Sequence, residues 1–403
     1  MKLLHTSDWH VGKVLKGVSR LQEQGAVLGG LVDLARREAV DLVVVAGDLY
    51  ESAVAPPEAQ ALVWSTLLAL RDTGAAVVVI AGNHDNAAHF EALRPLAAAA
   101  GITVLGRVRR PDEGGVVDVT TAGGEAVKVA ALPFLSQRYV VRAAQLMGDN
   151  AAQHAGTYAE RCRLLLAGLC TGFGAGTVNV VVAHAMVRGG RLGGGERDAQ
   201  TIEDYYVDPT AFPASAHYVA LGHLHRTQQL PGAAPIWYSG SPIQVDFGEG
   251  GDDKHALVVE AKAGVPAVVR SVRLDHVRRL KTLEGTLAEL RGQAGGVGDA
   301  LLRVVVAEPA RAGLADDVRE LLPNAVDVRI AAPAVVGDAV PSRTGLSPHE
   351  LFAAYLSAEG VDDERVTRLF ARLLDETWES HLPPPRQSGE SHLPPPGHST
   401  SGA

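Results

Sequence analysis

Along the first 255 residues, short apolar runs alternate with stretches of helical spacing. Each run ends in a small residue and then a polar cluster. Lys2–Thr6 reads as a strand leading into Ser7-Asp8. Asp41–Ala46, Ala76–Ala81, Val127–Leu132 and Val178–Ala183 read as further strands. They are continuously apolar rather than alternating, which predicts burial on both faces. Tyr218–Leu221 and Ile236–Tyr238 add two short strands. Gln22–Glu38 has helical spacing, and Pro57–Asp72 reads as a helix with Pro near its start, where the missing N–H costs nothing. The pattern predicts an α/β fold with covered sheets, in which ligands bind at the carboxyl ends of strands.

From about 256 to 332 the texture changes. His255–Ala261 and Ala267–Leu274 read as paired strands and Thr282–Arg291 as a helix. Leu301–Ala307, Leu314–Leu322 and Ala325–Ile330 follow a strand–helix–strand pattern. This predicts a small α+β cap domain over 256–332 behind a first domain at 1–255, followed by a linker at 333–346. At 347–380 a helical unit is expected, because Ser347-Pro348-His349-Glu350 supplies an N-cap, a Pro at N1 and a Glu at N3. Leu351, Phe352, Tyr355 and Leu356 make one apolar stripe, and Val366, Leu369, Phe370, Leu373 and Leu374 a second. The tail at 381–403 repeats Ser-His-Leu-Pro-Pro-Pro and is expected to be disordered, since proline runs favour extended chain and build no core.

The 403 residues are 46% hydrophobic, enough for a sizeable core. The apolar runs fall far short of the ~20 residues of a membrane span, and the first residues lack the apolar region of a signal peptide. A cytoplasmic, nucleoid-associated protein is expected. Cys162 and Cys170, eight apart in a helical stretch, read as buried thiols and form no metal clamp. Any metal must therefore use His, Asp and Asn. A net charge of −9 argues against nucleic-acid binding by bulk positive charge alone. It does not exclude a nuclease, because a metal site concentrates positive charge locally.

Five strand-end clusters carry the chemistry: Asp8-Trp9-His10, Gly47-Asp48, Gly82-Asn83-His84-Asp85, Ala183-His184-Ala185 and Gly222-His223-Leu224-His225. Each alone is modest; all five at strand ends are poorly explained by chance. Hard divalent cations such as manganese accept oxygen and imidazole donors. Asp8 and His10, two apart on an extended segment, would point the same way, as would His223 and His225. Asp48 can bridge two ions, and Asn83 adds a neutral oxygen. Two such ions would activate water and stabilise charge on a phosphate. Trp9 reads as packing beneath the site and His5 as a core histidine.

These clusters, in this order, resemble the calcineurin-like metallophosphoesterase superfamily. The longer strings His5–Lys13, Ala46–Tyr50, Ile80–Asp85 and Tyr238–Gln244 narrow the likeness to its bacterial DNA-repair nucleases. The resemblance covers residues 1 to about 380, most specifically the first 250. It implies a β-sandwich flanked by helices and two divalent ions, Mn2+ with Mg2+ as the other candidate. One ion would fall on Asp8, His10, Asp48 and His225, the other on Asp48, Asn83, His184 and His223. His84 would serve as general acid or transition-state stabiliser, with Asp85 orienting its ring. The resemblance also implies DNA as substrate, work in repair, recombination and replication, a coiled-coil ATPase partner docked on 347–380, and a homodimer within a heterotetramer, formed through the helices at 22–38 and 57–72. One departure stands out. Archaeal relatives place a second histidine three residues after the bridging aspartate, and here that residue is Glu51.

Lys13, Arg20, Arg138, Arg188 and Arg191 are candidates for phosphate contacts, against a plain reading as surface charge. The loop Gly189–Gly195, five of whose seven residues are Gly, reads as mobile, and the chain contains no P-loop. Two competing functions are a small-molecule phosphodiesterase of the same superfamily and a non-catalytic DNA-end clamp. The residues after the catalytic domain argue against the first, and the complete ligand set argues against the second.

Overall fold

The computed structural model describes residues 1–136, 139–140, 143, 157–196, 205–331, 348–358 and 363–379. The linker at 333–346, the tail at 381–403, Ser347 and Arg138 lie outside them.

The continuous apolar strands are buried on both faces because they form two stacked sheets. In spatial order the first sheet is Val265–Arg273, His255–Lys262, Lys2–Thr6, Leu42–Ala46, Ala76–Ile80 and Ile102–Leu105. The second is Gln228–Leu230, Ile236–Tyr238, Tyr218–Gly222, Val178–His184, Ala126–Leu132 and Val116–Thr120. Leu3, Leu42, Val44 and Ile80 meet Val129, Val180, Val182 and Tyr218 between them. The alternate residues Leu4, Val43 and Val45 pack outward on Leu28, Leu31 and Leu67, from helices Leu21–Glu38 and Pro57–Arg71. On the far side, Ala130, Val181 and Val219 pack with Leu165 and Leu166 of helix Tyr158–Leu169. Each fully buried Val or Leu contributes roughly 1.5–3 kcal/mol relative to exposure, so packing on both faces, more than propensity, fixes these strands.

His5 ties the sheets together. Its Nδ1 lies 2.8 Å from the Tyr218 hydroxyl and its Nε2 3.1 Å from the Leu221 carbonyl oxygen. Burial lowers its pKa to about 3, so it is a neutral core residue, as its sequence position suggests. Cys162 and Cys170 are buried, and burial pushes both thiols up to about 12, so neither is a thiolate.

Two elements beyond residue 255 differ from the sequence reading. His255–Lys262 and Val265–Arg273, expected in the cap, extend the first sheet: Leu3 stands opposite Val259 on the antiparallel flank of Lys2–Thr6. That strand buries both faces and needs a neighbour on each side, and only one is close in sequence. The predicted helix at 282–291 begins later. Leu280–Gly285 is a strand parallel to Leu301–Val306, and the helix, Leu287–Gln293, starts from a capping box of Thr286 and Glu289. With Ala325–Ile330 and helix Leu314–Leu321, these elements enclose a small core of Leu290, Leu302, Val304, Val306, Leu314 and Val318. Leu280 and Leu301 dock it on Leu15 and Phe247.

Helices Pro348–Ala358 and Glu364–Glu379 meet through Phe352 and Phe370, whose rings stack 3.9 Å apart, while Tyr355, Leu369 and Leu373 remain exposed. Among the described residues no helix is long and apolar enough to cross a membrane.

Candidate metal centre

Lys2–Thr6, Leu42–Ala46 and Ala76–Ile80 run parallel, and so do Val178–His184 and Tyr218–Gly222. Their carboxyl ends therefore gather at one end of the sandwich. The first sheet delivers Asp8, His10, Asp48, Asn83, His84 and Asp85; the second delivers His184, His223 and His225. The two sheets thus each bring part of the cluster.

The backbone turns sharply there. Asp8, His10, Asp48 and His223 all have positive φ, at 53°, 47°, 54° and 107°. The Asp8–His10 segment is therefore not extended, which corrects the expectation of simple two-residue alternation. Left-handed residues other than glycine cost on the order of 1–3 kcal/mol each. Here the loops hold them: the Asp8 amide donates to the Gly47 carbonyl at 2.9 Å, and the His10 amide to the Asp48 carbonyl at 3.0 Å. The glycines before Asp48 and Asn83 make room. A Cβ on Gly47 would stand 2.3 Å from His184 Nδ1, and one on Gly82 would stand 2.2 Å from Asp48 Oδ1.

The side chains converge. His10 Nε2 and His225 Nε2 are 3.0 Å apart. Asn83 Oδ1 lies 2.8 Å from His184 Nε2 and 2.9 Å from His223 Nδ1. Asp48 Oδ2 lies 3.4 Å from His184 Nε2 and 3.9 Å from His10 Nε2. Donor atoms of Asp8, His10 and His225 lie within 4.8 Å of one another, as do those of Asp48, His184 and His223, and those of His10, Asp48 and His84. All of these side chains are buried except Asn83, which is partly exposed. Facing imidazole nitrogens around buried carboxylates are a poor hydrogen-bond network and a good ligand set, so the residues fit divalent ions of the oxygen- and nitrogen-binding kind.

Charge in the cluster is strongly redistributed. Burial alone would raise Asp48, but His184, His84 and His10 hold it well below the usual carboxylate range. Burial opposes protonation of His184, but Asp48 and Asp8 raise it to about 9. Burial raises Asp8 against the pull of His184 and His225. Burial and the charge of His184 depress His223. Protons on His184 thus do what a cation would do. Ligation needs the neutral ring, so Mn2+ binding at pH 7.5 should release at least about one proton per chain. The release should fade as pH rises past about 9. Calorimetric titrations in buffers of different ionisation heat measure it, and a heat independent of buffer would contradict it.

His84 stands against His10, with ring centroids 4.6 Å apart. Its Nδ1 donates to the Glu51 carbonyl oxygen at 2.7 Å, which sets the orientation of the ring. Asp85, expected to orient this ring, does something else. Its carboxylate accepts the amides of Gly82, Leu49 and Tyr50 at 2.8, 3.3 and 3.1 Å, pinning the Asp48 and Asn83 loops together. Burial, then Asp48, pushes it up to about 6.

Residues 1–226 match the family model for calcineurin-like phosphoesterases. The chain belongs to the calcineurin-like phosphoesterase family. This phosphoesterase is 36% identical over 284 residues to SbcD, the D component of the nuclease SbcCD, from Bacillus subtilis (strain 168), a match spanning 70% of this chain and 71% of the relative. It is 34% identical over 274 residues to the SbcD of Rhodobacter capsulatus, covering 66% and 67%. With that of Escherichia coli (strain K12) it shares 30% over 308 residues, 73% of each. Members of this family use a dinuclear metal site, and the ligand clusters of this phosphoesterase match that use.

Several residues around the centre carry no signal of their own in the sequence. Glu249 Oε1 lies 2.9 Å from His225 Nδ1, and Lys254 Nζ lies 2.6 Å from Glu249 Oε2, all buried. Burial opposes ionisation of Glu249, but Lys254 and His225 bring it to about 2. Glu196 accepts the amides of Gly193, Gly194 and His225. The glycine-rich loop is therefore fastened over His225, and a Cβ on Gly195 would stand 2.9 Å from Glu249 Oε1. The Tyr238–Gln244 string braces this region: Ser239 Oγ lies 2.7 Å from Ser7 Oγ, and Ser241 Oγ accepts from Lys254 at 3.0 Å. No metal-ligand spacing marks Glu249, Lys254 or Glu196; that string is the one available signal.

Of the basic candidates, Arg20 is buried, paired with Glu23 and bonded to the Gln244 carbonyl. It is structural. Lys13 pairs with Glu51 at 2.9 Å. Arg188 lies over the Tyr206 ring and 3.9 Å from Asp208, and Arg191 is exposed.

Proposed function

We propose that this phosphoesterase is a manganese-dependent DNA nuclease, both a double-strand exonuclease and a single-strand or hairpin endonuclease, that works with an SbcC-type coiled-coil ATPase. The observation that carries the reading is the convergence of Asp8, His10, Asp48, Asn83, His184, His223 and His225 in one cluster, buried but for the partly exposed Asn83, with His84 beside it. The relatives named as components of the SbcCD nuclease favour a nucleic acid as the ester and SbcC as the partner. In this reading Asp8, His10, Asp48 and His225 hold one ion, and Asp48, Asn83, His184 and His223 the other. When bound, the ions supply Lewis-acid charge for activating water and neutralising phosphate.

The chain's own residues do the rest. Asp48 sits between the two imidazole pairs and joins the halves of the centre. His84, whose Nδ1–H is held by the Glu51 carbonyl, hands the second proton of its imidazolium form from Nε2 to the departing sugar oxygen and is left as the neutral ring. Asp85 keeps the loops carrying Asp48 and His84 in register. The exposed Tyr355, Leu369 and Leu373 offer an apolar face to the ATPase, in the manner of helix-in-groove recognition. Helices Leu21–Glu38 and Pro57–Arg71 are the proposed dimer face, in a heterotetramer acting at the nucleoid. The small parallel sheet beyond residue 280 is the proposed cap.

One assay tests the reading. The chain is supplied with Mn2+ and offered a labelled DNA hairpin and a nitrophenyl phosphodiester, with and without the ATPase. Cleavage of both is expected, with the ATPase extending activity to long duplex. Cleavage of the small ester alone under every condition would point to a small-molecule phosphodiesterase.

A further inference from the structure

The two halves of the centre are backed differently. His10 and His225 face each other through Nε2, and each turns its Nδ1 to a glutamate. Glu249 Oε1 lies 2.9 Å from His225 Nδ1. Glu51 Oε2 lies 3.2 Å from His10 Nδ1, within ion-pair reach though off the line of a hydrogen bond, and neither atom has a hydrogen-bond partner among the described residues. Each glutamate is held in turn by a lysine, Glu51 by Lys13 at 2.9 Å and Glu249 by Lys254 at 2.6 Å. The same lysine–glutamate–histidine arrangement therefore occurs twice, once behind His10 and once behind His225. The other half has no such support on His184, whose Nδ1 donates to the Ala46 carbonyl at 2.7 Å. Its further donor, Asn83, is neutral.

We propose that Glu51 and Glu249 are positioning residues that make the Asp8–His10–His225 half the tighter ion site, so that it loads first and the Asn83–His184–His223 half second. The proposal rests on the ligand reading above. A carboxylate behind a ligating imidazole fixes the tautomer and ring orientation and raises its basicity, and losing it typically costs 10–100-fold in metal affinity. A carbonyl fixes orientation but adds no full charge. The first half also has Asp8 to itself, whereas the second shares its only carboxylate, Asp48. Glu51 thereby gains a role at the position where archaeal relatives carry histidine: it acts through His10 rather than touching substrate.

The test follows free Mn2+ by electron paramagnetic resonance as the metal-stripped full chain is titrated. Two ions should bind with unequal constants. His184→Ala should abolish the weaker step and leave the tighter one to be read alone. In that background Glu51→Gln and Glu249→Gln should each weaken it by about 10–100-fold, with little change in the melting of metal-free protein, which a purely structural role would move. Glu249→Gln leaves Lys254 buried without its counter-charge, so Glu249→Gln/Lys254→Met is measured beside it. Glu51 is partly exposed, and its variant decides the matter even if those at 249 fail to fold. Two ions per chain, with the tight step untouched by Glu51→Gln, overturns the proposal. Fewer than two ions in the unaltered chain overturns the two-ion reading instead.

Discussion

Replacing His84 with Gln is expected to slow phosphodiester hydrolysis by about 10²–10⁴-fold, the usual worth of a positioned general acid, with two ions still bound. The side chain is buried, so a glutamine of similar length fills the space. The His84 amide, which donates to Asp48 Oδ1 at 2.7 Å, is unaffected by the change. The titratable Nε2 is lost, together with the ring N–H that the Glu51 carbonyl accepts. Steady-state rates on a nitrophenyl phosphodiester, beside metal content by elemental analysis, separate the roles. His84 also lies within ligand distance of His10 and Asp48. A fall in bound metal would therefore show that it belongs to the ligand set and not to proton transfer.

Asp48→Asn is expected to have the larger effect on metal. The carboxylate is buried between His184 and His10, and its loss removes the only acidic group common to both halves. The amide keeps the shape and can still accept the His84 N–H, so the fold should survive, which circular dichroism can verify. Affinity at both sites should drop by more than the ~100-fold typical of a supporting residue, and turnover should vanish. One ion retained at unaltered affinity would show that Asp48 serves a single ion.

Much of this was legible in the sequence. The five polar clusters at strand ends identify the side chains that meet, because a strand buried on both faces reads as a largely apolar run and its end is marked by a small residue, serine, glycine or alanine. The flank of Lys2–Thr6 was not legible. Its antiparallel neighbour, His255–Lys262, lies far away in sequence, and local pattern carries no pairing information. The left-handed turns at Asp8 and His10 were hidden for another reason: they are imposed by hydrogen bonds to the Gly47–Asp48 loop, not by local propensity. Glu249 and Lys254 escaped because a carboxylate behind a ligand needs no fixed spacing from it. Asp85 looked like a ring-orienting partner because adjacency suggests contact, yet its carboxylate turns to the loop amides.

The split of the centre between two sheets also bears on how the protein is made. At ~5–20 residues per second, the ribosome emits His225 on the order of ten seconds or more after Asp85. The last strand of the first sheet's interior, His255–Lys262, comes later still. At the start of that interval the nascent chain carries the carboxylate-rich half of the centre and an unpaired flank of Lys2–Thr6, and the apolar face of Leu3, Leu42 and Val44 is covered only as Val129, Val180, Val182 and Tyr218 emerge. Assembly of the active cluster is thus a late event in biosynthesis, and a chain stalled before the second sheet would be a sticky intermediate with nothing yet able to cut.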